Sequence, residues 1–241
     1  MLRLALALLL LAPAASLAAP GDPPPPESPT PFSPDASRYG GYLRFGQLWV
    51  TDPRFDLVGT DDALSRVEVG GSWSPEALGD VALELGYAFG RSSAPVFEWG
   101  EAALALHSIQ ASALYRIPTS AATRAFARGL LSLDFADLQL SGDGPGPELE
   151  DTAPLLGLEG TLGWELLFPV GMTRTADGRP LRHLALGIEA GYAFRPFEAE
   201  FELERDAEDD VRPGRVPRAP VDVGAIDLSS WVLRLGGALR F

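Results

Sequence analysis

The chain contains no cysteine and no lysine, only two histidines and two methionines, and after its first nineteen residues no apolar run long enough for a spanning helix. Without cysteine there is no disulfide framework, no thiol chemistry and no lipidated cysteine to act as an anchor. Every basic side chain is arginine; this reads first as codon bias in a GC-rich genome and second as a preference for guanidinium in buried ion pairs. With 33 acidic residues against 19 basic ones, the net charge is -14, which leaves no basic stripe and excludes a nucleic-acid surface. The two histidines, His107 and His183, are too far apart in sequence to form a metal-ligand motif, and no pattern for a catalytic centre, metal or cofactor emerges. A spanning helix needs roughly 20 apolar residues, so any membrane crossing must use strands.

What is present begins with an N-terminal address. Met1 to Ala18 has an arginine at position 3, an apolar run from Leu4 to Leu11 and then small residues, the pattern of a cleaved secretory signal peptide. Residues 19–38 form a Pro-rich leader with no hydrophobic period, expected to be an extended, disordered linker. Residues 39–241 hold the folded part.

Eight segments from Tyr39 onward alternate at period two, bounded by Gly, Pro, Asp or Ser clusters. In Tyr39 to Thr51, Leu43 and Phe45 oppose Tyr42, Arg44 and Gly46. In Ser65 to Trp73, Val67 and Val69 oppose Arg66 and Glu68. In Val81 to Gly90, Leu83, Leu85, Tyr87 and Phe89 oppose Glu84, Gly86 and Ala88. The fourth, Glu101 to Ile117, begins with Leu104 and Leu106 outward and loses its pattern near His107 to Gln110, where a β-bulge would restore it. Arg124 to Leu140 sets Leu131, Leu133 and Phe135 against Arg128, Ser132 and Asp134. Leu155 to Phe168 sets Leu156, Leu158, Leu162, Trp164 and Leu166 against Glu159, Thr161 and Glu165. Arg182 to Arg195 sets Leu184, Leu186, Ile188, Tyr192 and Phe194 against Gly187, Glu189 and Gly191. At Pro196 the parity slips, as a bulge followed by a ribbon would make it. Ser229 to Phe241 closes the series, with Trp231, Leu233, Leu235 and Leu239 opposite Arg234, Gly236 and Arg240.

Three features separate a transmembrane barrel from a soluble sandwich. The less apolar face is mostly Gly and Ala with isolated charges, which suits a narrow lumen. Aromatics near strand ends, among them Trp49, Trp73, Tyr115, Trp164, Phe168, Tyr192 and Trp231, suit two interfacial girdles. Long connections also alternate with short ones. The expected fold is therefore all-β: an antiparallel up-and-down transmembrane barrel of eight strands. A ten-strand barrel would need an extra hairpin in the last outer connection.

The final eight residues, Arg234-Leu-Gly-Gly-Ala-Leu-Arg-Phe241, resemble the terminal signal of bacterial outer-membrane β-barrels. The resemblance implies that Arg234, Gly236, Leu239 and Phe241 are read by the barrel-insertion machinery, and that the protein sits in the outer membrane after export through the periplasm. Across Tyr39 to Phe241 the strand pattern is similar to small OmpA- and OmpX-type barrels. No periplasmic domain is expected after Phe241, so the peptidoglycan anchor of longer members would be absent.

The presumed lumen holds Arg44, Arg66, Glu68, Glu84, Arg128, Asp134, Glu159, Glu165, Glu189, Arg234 and Arg240. In so narrow a barrel unpaired charges would be costly, so these are expected to pair and plug the interior. The outer connections are acidic: Asp52, Asp56, Asp61 and Asp62; Glu98; Asp143, Glu148, Glu150 and Asp151; then Asp206, Glu208, Asp209 and Asp210, followed by Arg212, Arg215 and Arg218. The inner side carries Arg174, Arg179 and Arg182. The reading is a monomer embedded in outer-membrane lipid and lipopolysaccharide, acting through its acidic loops in adhesion, surface protection or envelope integrity. Two alternatives stand beside it. One is a narrow, cation-preferring pore. The other is a lipid-modifying enzyme, for which His107, a hydroxyl and a carboxylate would have to converge near one rim; Ser108 cannot share a site with His107 without a bulge. His183 is expected to be interfacial.

Overall fold

The computed structural model of the chain describes residues 38–59, 62–95, 100–120, 122–142, 149–169, 183–203 and 221–240, all within the unit Pro31–Phe241. Outside them lie the signal peptide, the leader up to residue 37, Phe241, the outer acidic residues Asp61, Glu98, Asp143, Glu148, Asp206, Glu208, Asp209 and Asp210, and the arginines Arg174, Arg179, Arg182, Arg212, Arg215 and Arg218. Among the described residues no helix is long and apolar enough to cross a membrane.

A strand in hydrocarbon must satisfy its backbone groups through both neighbours, and only a closed sheet does this for every strand. Eight strands close here: β1 (Tyr39–Val50), β2 (Ala63–Trp73), β3 (Val81–Pro95), β4 (Gly100–Pro118), β5 (Thr123–Gly142), β6 (Leu149–Pro169), β7 (His183–Phe194) and β10 (Ser230–Arg240). Each pairs antiparallel with the next, and β10 returns to β1. The last outer connection does contain a hairpin, β8 (Ala199–Leu203) with β9 (Val221–Ile226), but it forms a separate two-stranded ribbon outside the barrel wall. The ribbon adds no strand to the eight.

The register fixes the barrel's shape. Pairing partners followed around the wall lead from Trp73 through Leu83, Ala113, Gly129, Gly160, Tyr192, Trp231 and Trp49 back to Ala63, ten residues up the same strand. Eight strands with that stagger tilt about 41° from the axis and close at a backbone radius of roughly 8 Å. An interior of that width is one that side chains can fill. At the inner end, Gly79 (φ +57°) sits in the left-handed region and closes the turn from β2 to β3 after a short 3-10 segment, Glu76–Leu78.

Between two aromatic girdles the wall is apolar outside and polar inside. Trp73, Tyr115 and Trp164 mark the inner girdle; Phe89, Phe194 and Trp231 mark the outer one, with Tyr192 edge-on to Trp231 at 5.2 Å between centroids. Resolved along the tilt, the girdles stand about 20 Å apart. Leu85, Ile109, Leu131, Leu158, Ile188 and Leu235 fill the band between them and are all exposed.

Above the outer girdle the polarity inverts while the alternation continues. On β5, Leu131 and Leu133 face out below the girdle, but Asp137, Gln139 and Ser141 face out above it, with Ala136 and Leu138 buried within. On β4 the outward residues pass from Ile109 through His107 to Glu101, and Leu106 and Leu104 turn inward.

This corrects two expectations. Leu104 and Leu106 point into the barrel, not out of it, and the pairing of β4 with β3 and β5 runs unbroken through His107–Gln110, with no bulge. The strand leaves the membrane there, so its polar and apolar faces exchange. At Pro196 there is likewise no bulge: β7 ends at Phe194, the chain bends through Arg195–Glu198, and the ribbon starts at Ala199. Strands also claim much of two supposed loops, since β3 reaches Pro95 and β6 begins at Leu149.

Candidate functional site

The barrel interior is built in storeys, and the strand parities decide who enters each. In the middle storey, Arg44 comes from β1, Glu68 and Arg66 from β2, Glu84 from β3, Arg128 from β5, Glu159 from β6, Glu189 from β7 and Arg234 from β10. Arg44 Nη1 donates to Glu68 Oε1 at 2.8 Å and its Nη2 to Glu84 Oε1 at 2.7 Å. Arg128 donates to Glu68 Oε1 at 3.0 Å and to Glu189. Arg234 grips Glu159 with both terminal nitrogens at 2.5 Å and reaches Glu189 at 3.2 Å. Arg66 donates to Gln110 at 2.9 Å and lies 3.8 Å from Glu159. Ser112 and Thr161 complete Glu84 and Glu189. Four arginines thus meet four glutamates, so the storey is formally neutral. Planar guanidinium forks bridging several carboxylates suit this geometry, which a lysine point charge could not reproduce.

Glycines make this packing possible at one point in particular. The Tyr42 ring lies under the Arg44 guanidinium, 3.9 Å from it, and reaches across β2 and β3. A Cβ at Gly70 or at Gly86 would collide with the Tyr42 hydroxyl. The two glycines are the space the ring occupies.

Beneath the network lie Ala82, Leu114 and Phe126. Arg240 then forks onto Glu165 at 2.9 and 2.7 Å near the inner rim, beside the buried Arg116 and Arg124. His183, expected at the interface, is the first residue of β7 and turns inward with them, 2 % exposed. Near the outer girdle Asp134 accepts from Arg195 Nε at 2.8 Å, and Arg195 also donates to the Leu228 carbonyl at 2.6 Å. Arg116, Arg124, His183 and Arg195 were absent from the lumen expected from sequence. Parity carried forward from Arg128 and Glu189 would have found Arg124 and Arg195.

The outer storey is a hydrocarbon core. Leu48, Leu64, Leu104, Leu106, Leu138 and Leu155 from the wall meet Phe55 from the 3-10 turn Pro53–Leu57, and Phe201 and Ile226 from the ribbon. Phe55 is fully buried and Phe201 1 % exposed. Polar clamps hold the two capping pieces together. Asp52 accepts from Arg54 Nε and from the Asp227 amide, Arg54 also donates to Glu198 at 3.0 Å, and Asp151 accepts from the Glu202 amide at 2.7 Å. A cleft of about 730 Å³ between β6 and the ribbon is lined by the carboxylates Glu150, Asp151, Glu200 and Glu202.

On the exterior, His107 Nδ1 lies 2.5 Å from the Tyr87 hydroxyl and its Nε2 lies 3.4 Å from Asp137, with Phe89 packed on the ring. Ser108 points the other way and is buried. Of the terminal strand signal, Arg234 and Gly236 face the lumen and Leu239 faces out. Among the described residues no group of His, Cys, Asp and Glu could hold a metal ion.

No protein-family model and no curated protein matches the chain. Solved structures that it resembles include Neisserial surface protein A, at 13% identity over 85% of this chain and 96% of that one with a TM-score of 0.44. The attachment invasion locus protein Ail of Yersinia pestis matches at 13% identity, over 85% and 99%, with a TM-score of 0.47. A major outer membrane protein from Thermus thermophilus matches at 15%, over 84% and 99%, with a TM-score of 0.47. These are low similarities, and the assignment rests on the chain's own register and polarity. A closed register of eight strands, an apolar band between two aromatic girdles and a charged interior make this a transmembrane β-barrel, the architecture of small outer-membrane proteins.

Proposed function

We propose that the protein is an integral outer-membrane barrel, monomeric, whose interior is structural and whose activity lies on its outward surface, in adhesion, surface protection or envelope integrity. What supports this reading is the way side chains fill the interior in two parts. The four arginines of the middle storey are ion-paired with its four glutamates, and the storey above is packed with hydrocarbon and capped by Phe55 and Phe201. A conducting path would want lumen charges that are free to meet an ion. The acidic edge formed by Glu150, Asp151, Glu200 and Glu202 gives the outward surface a ready attraction for divalent cations shared with lipopolysaccharide phosphates, or for a basic partner.

The test is single-channel recording from the refolded protein in a planar bilayer, with Glu165→Gln and Glu189→Gln beside wild type. Silence from folded protein is expected. Steady cation-selective openings altered by either substitution would move function into the lumen. The terminal strand supports assembly by the barrel-insertion machinery, and deletion of Phe241 is expected to lower the folded fraction in the outer membrane.

One observation favours a second reading. His107, a hydroxyl and a carboxylate do converge near the outer rim, with Tyr87 supplying the hydroxyl, as a lipid-modifying enzyme would require. Against it, the backbone at Tyr87, His107 and Asp137 is engaged in the ladder on both sides, which leaves no N–H pair at these three residues to hold an oxyanion. Release of fatty acid from outer-membrane lipid by wild type, abolished in His107→Ala, would establish that reading.

A further inference from the structure

The outward face of β1, β2 and β3 carries two adjacent register rows of opposite character. Phe45, Val67 and Phe89 sit side by side across the three strands, and directly above them sit Gln47, Ser65 and Arg91. Neighbouring Cα atoms in such rows are about 5 Å apart, so each row presents one continuous edge. The lower row belongs to the apolar band; the upper row is where that band ends. Between them the small side chains of Ser65 and Val67 leave a groove of about 570 Å³ walled by Phe45 and Trp49 on one side and Phe89 and Arg91 on the other. Its volume falls in the range of small-ligand sites.

Arg91 is exposed and, among the described residues, makes neither a hydrogen bond nor an ion pair. That is unusual on an outward surface otherwise supplied with Glu101, Asp137 and Glu150, and it contrasts with Arg54, which is held by Asp52 and Glu198. Gln47 and Ser65 likewise have free side-chain donors, which face the same groove. A guanidinium with two neutral donors beside it matches a phosphate. The apolar slot running from them toward the membrane centre matches an acyl chain.

We propose that this groove binds a phosphate-bearing amphiphile of the outward leaflet, its headgroup on Arg91, Gln47 and Ser65 and one chain along Phe45 and Val67. The proposal rests on the outer-membrane reading above. Charge complementarity chooses an anionic headgroup over a neutral one. The polar row's position at the edge of the apolar band chooses a lipid over a soluble anion.

The test uses the full chain folded in dodecyl maltoside, with bound lipid counted by native mass spectrometry during titration with dimyristoyl phosphatidate. Arg91→Ala is expected to weaken binding about tenfold, the scale of a lost charge-assisted hydrogen bond. Val67→Trp, which fills the slot, is expected to weaken it as well, and Arg54→Ala to leave it unchanged. Equal binding by Arg91→Ala and wild type would overturn the site. So would equal binding of dimyristoyl glycerol, which lacks the phosphate, or full competition by inorganic phosphate, which lacks the chains. Insertion into lipid vesicles is measured alongside. Protein that inserts but shows no Arg91-dependent binding refutes the groove alone; protein that fails to insert refutes the membrane reading and the site with it.

Discussion

The middle and outer storeys are lined by the same strands at the same parity, yet one is ionic and the other hydrocarbon. On β5, Arg128 and Leu138 both point inward, ten residues apart. The sheet geometry has not changed between them; the medium outside has. Facing lipid, the wall must be apolar outside, and polar groups can go only inward, where each must find a partner. Facing water, the wall can be polar outside and hold a hydrophobic core, as a soluble β-protein does. Alternation therefore reports the sheet, and the sign of the alternation reports the solvent.

The largest effect expected from breaking this contrast is in the ionic storey. Arg234→Ala leaves Glu159 short of its main cation and Glu189 short of its second, and is expected to cost about 4 kcal/mol, whereas Arg234→Leu combined with Glu159→Leu should be far milder. Urea unfolding of both variants from bilayers separates the two cases. In the outer storey the loss is one of packing: Leu104→Ala, at a fully buried site, should cost about 3 kcal/mol in the same assay.

The exterior sharpens the comparison. Val69, outward and midway between the girdles, and Ala105, outward above them, face different media on the same side of the wall. Val69→Arg should cost roughly 2–3 kcal/mol, and Ala105→Arg less than about 0.5.

The smallest effect concerns the clamp on the cap. Burial alone would raise the Asp52 carboxyl, but hydrogen bonds from Arg54 and the Asp227 amide outweigh it and hold the group below the usual carboxylate range. Its folded pKa is depressed, so its contribution is present above the ordinary value of about 4 and is lost as pH falls through the folded value. Amide protection in Arg54–Val58, taken relative to the intrinsic exchange rate at each pH, should therefore fall below about pH 4, and Asp52→Asn should remove that pH dependence.

The strand count and the faces of most strands were legible because period two survives every local detail, from Leu43 and Phe45 on β1 to Leu233 and Leu235 on β10. The point at His107–Gln110 was not. Leu104 and Leu106 looked outward only because apolar was equated with lipid-facing, and that equation fails once a strand rises into water. The capping core was hidden for a related reason. Phe55, Phe201 and Ile226 sit in connections, and nothing in their own stretches says that the barrel's outer end is apolar enough to receive them. The lumen charges could be placed by parity, but which arginine meets which glutamate depends on a ten-residue stagger that no single strand encodes.

The absence of cysteine makes the most direct test clean. Single cysteines at Leu131, Leu133, Asp137, Leu138 and Gln139, each spin-labelled in the protein reconstituted into bilayers, report whether oxygen or a water-soluble nickel chelate collides with the label. The polarity inversion predicts oxygen-dominated collisions at 131 and 133, chelate-dominated collisions at 137 and 139, and protection from both at 138. Oxygen-dominated collisions continuing through 137 and 139, or free access of the chelate to 138, would contradict it.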